Sequence, residues 1–402
     1  MDDFFPIFWF PHLFGIEEDP KLIKEYFDFK IVDKDKVEIY CKMKERTFKC
    51  GRLLSKSFSS FHALKTRGGG KLHIVCGNGE FSYPPQFTDF IVAQNHPDFN
   101  GATFQIGSSA KAIQNADSNT SAIRGISDYA FDTIQGTIGS VATAQAALYR
   151  NYLCSSKMDL LDETPFVKKN GFVLIDEEEA ERLKKLDFDF SDFNHYKIAI
   201  QRNCEVVLRR DRSVFTKFCV NECNDSKNGS DKNDEQTQMV HQVFCVHFDF
   251  KNDIIPTKFT KTIVRNILEA QYRMTIMAAW ENSLLYPNKP GSKVLFLTPL
   301  GSRMGTSRRL IAEAVEACKD LIIDSGLEVY FSCPKKSDFD KCESILKEVV
   351  EETDGNTIIT KQVTEDDLSQ LDDCQYSHFI LWTVIICLAL LFGLYMSKIL
   401  KF

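Results

Sequence analysis

From Tyr376 to Met396 the chain reads YSHFILWTVIICLALLFGLYM, without a charged residue. Wound as a helix at about 1.5 Å per residue, this run covers roughly 30 Å, the thickness of a hydrocarbon core. Tyr376 and Trp382 toward one end and Tyr395 at the other stand where amphipathic rings favour the membrane interface. A buried core helix is the competing reading. It is disfavoured because the run is apolar all round, and the tip at 397–402, with Lys398 and Lys401, is too short to pack over it. A single transmembrane helix at 376–396, with the lipid bilayer as its partner, is therefore expected.

The opening MDDFFPIFWFPHLFGIEEDP is apolar, but it begins with two aspartates and carries prolines inside the apolar run. It also lacks a basic n-region and a small-residue cleavage site. It reads as an aromatic segment packed on the body. Without a signal, the hydrophobic run emerges only when synthesis is nearly complete, so the body is expected in the cytosol and the tip across the endoplasmic reticulum or mitochondrial outer membrane. The acidic flank (Glu365, Asp366, Asp367, Asp372, Asp373) and the basic tip would orient the other way by the positive-inside rule. That rule weakens when a large domain sits on one side, and the missing signal outweighs it.

A chain of 402 residues with 44% hydrophobic content can build one large core. The net charge of −7 and the lack of a basic run exclude a nucleic-acid partner, since duplex binding needs clustered cations to displace counterions. The 33 phenylalanines are spread along the chain and read as core filler. The 13 cysteines follow no framework spacing and point to reduced thiols. Cys219, Cys223, His241, Cys245 and His247 are zinc-ligating residue types. However, the first two border the solvated stretch NECNDSKNGSDKNDEQTQ, and Cys245 and His247 lie in the strand-like run VFCVHFDF. No metal and no cofactor is expected.

Strand-like runs stand at 72–76, 102–106, 171–175, 196–200, 205–208, 243–248, 293–298 and 328–332. Helical periodicity separates several of them. One helix follows Thr306 or Ser307 and ends at Gly326, a second spans about 258–285, and a third runs from Gly136 to Leu153 with a small-residue face. Strands alternating with helices argue for a mixed sheet covered by helices. A globular domain at 1–335 and an acidic linker at 336–375, ending in EETDGNTIITKQVTEDDLSQLDDCQ, complete the expected organisation.

Two segments have the composition of a ligand site. In KVLFLTPLGSRMGTSRRLIAEAVEACKDLIIDSGLEVYFS, a strand, a loop with Gly301 and Gly305, and a helix follow in order. Loop amides at a helix start, with Ser302, Arg303, Thr306 and Ser307, suit an anion. The Lys-Ser/Thr pair of a Walker loop is absent. In SDYAFDTIQGTIGSVATAQAALYRNYL, Asp128, Asp132, Gln135 and Gly136 precede the small-residue helix and Arg150-Asn151-Tyr152 closes it.

Tyr129, Asp132, Gln135-Gly136, the Ala/Gly run and Tyr149-Arg150-Asn151-Tyr152 resemble the signature of a poorly characterised family of macrodomain-like proteins. The resemblance extends to HLFGIEEDPKLIKEYFDF, CGRLLSKSFSSFHAL, HPDFNGATFQIGSS, HQVFCVHFDF, ILEAQYRMTIMAAW and the segment from Lys293, and covers roughly 12–333. It implies a macrodomain-like three-layer mixed sheet with helices on both faces, and a cleft for ADP-ribose or a related phosphorylated nucleotide. This sequence departs from the family where Gly107-Ser108-Ser109-Ala110-Lys111 and Gln114 replace a Ser-Gln-Phe-Asn segment and a nearby Glu. It departs again in the later loop, which keeps only Gly301 and Gly305 of a glycine run. Under a hydrolytic reading Asp132 is the catalytic carboxylate and 301–307 the phosphate clamp. The alternative is a non-enzymatic membrane tether with a degenerate cleft. A Ser or Cys hydrolase finds no nucleophile elbow.

Overall fold

A computed structural model describes residues 9–33, 36–61, 64–77, 82–83, 87–114, 125–131, 135–154, 157–210, 218–221, 237–250 and 257–362. The apolar run at 376–396 and the basic tip lie outside the described residues, among which no helix is long and apolar enough to cross a membrane.

From Trp9 onward the N-terminal aromatic segment packs on the body, and residues 1–8 lie outside the described residues. In α1 (Trp9–Phe14), Trp9, Phe10, Leu13 and Phe14 are all buried. An antiparallel meander follows, β1 (Phe27–Asp33), β2 (Lys36–Cys41) and β3 (Arg46–Lys49). Alternation of Phe27 and Phe29, and of Val37, Ile39 and Cys41, is the signal that marks it.

The main sheet has eight strands. In chain order they are β4 (Arg52–Ser57), β5 (Lys71–Cys76), β6 (Thr103–Ser108), β7 (Lys197–Glu205), β8 (Met239–Val246), β9 (Val294–Leu297), β10 (Glu328–Cys333) and β11 (Thr357–Ile359). Their spatial order is β11-β5-β10-β9-β6-β8-β7-β4. The six from β11 to β8 are parallel, and β7 runs antiparallel to both of its neighbours. Central strands such as β8 are buried at every position, as expected for a sheet covered on both faces.

Side-chain direction on β6 locates the covering helices, because consecutive strand residues point to opposite faces. Gln105 bonds Thr275 of α5 (Lys258–Leu285), Nε2 to Oγ1 at 3.1 Å. On the other face Ile106 lies against Gly139 of α3 (Gln135–Val141), where an added Cβ would come within 2.8 Å of Ile106 Cδ1 and 3.3 Å of Phe90 in α2 (Phe90–Asn95). That face also carries a ladder of rings. Phe104 and Phe296 stack at 4.8 Å, Phe296 and Tyr330 at 5.2 Å, and Tyr330 and His73 at 4.7 Å, one residue from each of four adjacent strands. The result is the three-layer architecture with helices on both faces.

Two expected helices are interrupted. The one expected up to Gly326 is α6 (Arg308–Glu316) and α7 (Lys319–Ser325), broken where Arg273 of α5 takes the Ala317 carbonyl at 2.6 Å. The one expected at 136–153 is α3, then α4 (Ala144–Tyr149), then a π turn over Arg150–Cys154. At the first break the amides of Val207 and Leu208 both donate to the Ala142 carbonyl, at 2.8 and 3.2 Å. In each case a tertiary donor occupies a carbonyl that helix continuation would need.

The expected linker at 336–375 is corrected over its first part. Residues 336–352 form α8 (Lys336–Glu352), which buries Phe339, Cys342, Leu346, Val349 and Val350, and β11 adds to the edge of the main sheet. The body therefore extends beyond residue 335. Charged residues at 336, 340, 341, 343, 347, 348, 351 and 352 gave the stretch its linker-like composition, but they are the solvated face of an amphipathic helix.

Candidate functional site

A cleft of about 110 Å³ opens where several parallel strands end. Gly107 comes from the end of β6, His247 follows β8, Thr298 to Met304 follow β9, and Pro334 and Lys335 follow β10. The chain leaving β9 runs to β10 on one side, and the chain leaving the adjacent β6 runs to β7 on the other. The cleft thus lies at a switch point of the sheet, where backbone leads away in both directions and leaves a crevice at the carboxyl ends.

The polar residues of α5 hold the strand ends in place. Gln271 bonds both backbone groups of Val246, accepting from its amide and donating to its carbonyl at 2.7 Å. The Tyr272 hydroxyl donates to the Thr298 carbonyl at 2.7 Å and accepts from the Leu300 amide at 3.1 Å. Burial pushes the Tyr272 phenol well above its ordinary range, so it remains a proton donor. Gln105 accepts from the Thr298 amide at 3.1 Å. The loop that follows is shaped by two residues with left-handed backbone, Gly301 (φ 71°) and Gly305 (φ 89°).

The sequence-flagged residues divide. Gly301, Ser302 and Arg303 line the cleft, and so does Gly136, brought in from the other flagged segment. The start of α3 lies directly on the end of β6: a Cβ on Gly136 would come within 2.6 Å of the Gly107 carbonyl oxygen. Gln135 opens that helix.

Four flagged residues do not line the cleft. The added Cβ of Gly305 would meet Phe250, at 2.9 Å from its Cβ, so this glycine serves the loop and not ligand approach. Thr306 is 2% exposed, its amide bonded to the Gly301 carbonyl at 3.1 Å. Ser307 is the N-cap of α6 without a side-chain cap bond, and it faces an outer depression with Arg309 and Glu313. Asp128 is exposed on the turn Ser127–Phe131. Asp132 lies outside the described residues.

Lys335, Asp338 and His247 complete the lining and were not picked out as site residues by sequence. Asp338 falls in the stretch read as linker, Lys335 is the last residue of the stretch read as globular domain, and His247 was weighed only as a zinc ligand. Of the other zinc-type residues, the Cys245 thiol contacts Thr275 at 3.3 Å, while His241 Nδ1 accepts from the Asn203 amide at 3.0 Å. Among the described residues no group of three or more His, Cys, Asp or Glu is placed to hold a metal.

Three basic side chains, Arg303, Arg308 and Lys335, and one carboxylate, Asp338, therefore line the cleft. Two helices begin at it: α6 at Arg308, and α8 with Lys335 as its N-cap. Neither N-cap side chain makes a capping bond. The partial positive charge of both helix starts adds to that of the side chains. A pocket of this kind favours an anion bearing several oxygens.

Two other motif residues are structural. Arg150 is 1% exposed and bonds the Ala112 carbonyl at 3.1 Å, Gln201 and Ser140, while its guanidinium stands 4.0 Å over the Phe244 ring. Burial lowers its pKa to about 10, so it stays charged at neutral pH. Glu18 accepts from the amides of Ile126 and Ser127, at 2.8 and 2.6 Å, and from the Tyr152 hydroxyl at 2.6 Å. This ties the HLFGIEEDP segment to the turn that carries Asp128.

No family model and no curated protein matches the chain. Among solved structures it is similar to poly(ADP-ribose) glycohydrolase from Deinococcus radiodurans. The apo form gives a TM-score of 0.34 at 10% identity, over 71% of this chain and 86% of that one. A mutant form in complex with ADP-ribose gives a TM-score of 0.39 at 8% identity, over 74% and 95%.

Proposed function

We propose that this protein is a membrane-anchored macrodomain-like module whose cleft binds an ADP-ribose-type or other phosphorylated nucleotide ligand. The observation that carries the reading is the convergence of Arg303, Arg308, Lys335 and two helix starts on one crevice at the carboxyl ends of parallel strands. Charge of that sign and density suits a diphosphate, and the glycines Gly107, Gly136 and Gly301 keep the crevice floor free of side chains. Binding is favoured over hydrolysis, because the one carboxylate among the described lining residues, Asp338, is already engaged by Arg308 at 2.7 Å. A role for Asp132 in hydrolysis is a separate proposal, tested by whether D132N abolishes release of ADP-ribose from an ADP-ribosylated peptide.

Calorimetric titration with ADP-ribose, ADP and inorganic phosphate checks the binding reading. Saturable binding below about 1 mM is expected, weakening as salt screens the exposed cations. R303A should lower affinity several-fold with little change in melting temperature, since Arg303 is exposed. Absence of saturable binding to any of the three would leave the non-enzymatic tether as the surviving reading.

The anchor is supported by the length and uniform apolarity of 376–396. The full chain should remain with membranes through carbonate extraction, and a chain ending at Gln375 should be released. Protease added outside sealed vesicles should digest the body; a protected body would reverse the proposed orientation.

A further inference from the structure

Asp338 and Arg308 meet through one edge of the guanidinium. Arg308 Nε donates to Asp338 Oδ1 at 2.7 Å, with the aspartate side chain 9% exposed and the arginine side chain 26% exposed. The Nη groups make no hydrogen bond among the described residues. The neighbouring Arg309 instead pairs with Glu313 on the surface, 80% exposed, so of the two adjacent arginines only Arg308 lines the cleft. A guanidinium is a rigid plane of donors. Fixing it by Nε sets the direction of the remaining N–H groups, whereas an exposed lysine such as Lys335 offers charge without direction.

We infer that Asp338 is a positioning residue: it holds Arg308 by the Nε edge so that the Nη groups meet two oxygens of one phosphoryl group in the cleft. This rests on the reading of the cleft as an anion site and assigns the ligand class more narrowly, as one that presents a pair of phosphoryl oxygens. The assignment runs against simple Coulomb reasoning. An aspartate in an anion site repels the ligand, and its removal should tighten binding if charge alone mattered.

The test is calorimetric titration of inorganic pyrophosphate into the full-length wild-type protein and into D338A, D338N, R308K and D338A/R308K, with a thermal melt of each. D338A is expected to weaken binding about tenfold, despite removing a negative charge, because the guanidinium is no longer held. D338N keeps an acceptor oxygen for Nε and should bind within about threefold of wild type. R308K keeps the charge but loses the planar fork, and should match the loss in D338A. The double variant should be no weaker than either single, since both remove the same oriented donor.

Affinity in D338A equal to or tighter than wild type would overturn the inference while leaving the anion site intact. So would single losses that multiply in the double variant. If wild type itself fails to bind pyrophosphate, the proposed function falls, and the inference with it. Should D338A melt early, R308K decides: its partly exposed side chain can be changed without opening the core, and wild-type affinity there would sink the oriented-fork account.

Discussion

A chain ending after Lys335 is expected not to fold, whereas one ending after Gln362 should unfold in a single cooperative transition. The shorter chain lacks α8 and β11. Burial of Phe339, Leu346, Val349 and Val350 contributes roughly 6–12 kcal/mol at about 1.5–3 kcal/mol per fully buried side chain. That is comparable to the whole net stability of a typical domain, about 5–15 kcal/mol.

The cut also leaves polar groups without partners. The Leu72 amide donates to Thr353 Oγ1 at 3.0 Å, His73 Nδ1 accepts from the Asn356 amide at 3.0 Å, and the Cys76 carbonyl accepts from the Thr360 hydroxyl at 2.7 Å. All three lie on β5, inside the sheet, where an unmet hydrogen bond costs about 1–3 kcal/mol. Circular dichroism during a thermal ramp, with limited proteolysis alongside, distinguishes the two chains. A cooperative melt of the 1–335 chain near that of the 1–362 chain would show that α8 is an appendage and that the linker reading was correct.

The second large effect is loss of stability in acid through His241. This residue is 1% exposed at the start of β8, its Nδ1 accepts from the Asn203 amide at 3.0 Å, and its ring packs on Tyr286 at 4.7 Å. Burial, then the nearby charges of Arg202 and Lys289, lower its pKa from 6.5 to about 3. The folded protein therefore resists protonation while the unfolded chain accepts a proton below pH 6.5. Stability contributed by neutral His241 is fully present above that pH, and is lost at about 1.4 kcal/mol per unit as pH falls toward 3.

Between pH 7 and pH 5 the loss through this one residue is about 2 kcal/mol. His241→Gln keeps an acceptor for the Asn203 amide and cannot titrate. Denaturant unfolding at both pH values should show wild type losing about 2 kcal/mol more than H241Q. Equal losses would mean that the imidazole is hydrated in the native state and takes up a proton there as readily as in the unfolded chain.

Much of the cleft was legible before the fold was known, for a specific reason. The 301–303 loop follows a strand and precedes a helix in sequence, so its glycine and arginine carry a local signature. Gly136 was legible through the Gln-Gly pair at the start of a small-residue helix. Lys335 and Asp338 were not, because they lie at the start of a charged helix whose composition resembles that of a solvated linker. Gly305 was misassigned: its φ of 89° serves a turn packed on Phe250, and a sequence cannot tell a glycine needed for its own conformation from one needed for a ligand's approach.

The sequence by itself determined some local periodicities: main-sheet strands such as those at 72–76, 102–106, 243–248 and 328–332, though not β1 to β4 or β11, a helix over about 258–285, the alternation of helices with the strands of a mixed sheet, and where a membrane-length apolar run stands. Those follow from spacing along one segment. Tertiary structure alone decided where helices break, since Arg273 claims Ala317 and the Val207 and Leu208 amides claim Ala142 from far along the chain. It also decided that Arg150, which ends a promising motif, is a core strut, because that depends on Ala112, Ser140 and Gln201 meeting around one guanidinium. And it decided that residues near 107, 136, 247, 301 and 335 share a single crevice. Strand order sets which carboxyl ends are neighbours, and strand order arises from long-range pairing that no local pattern encodes.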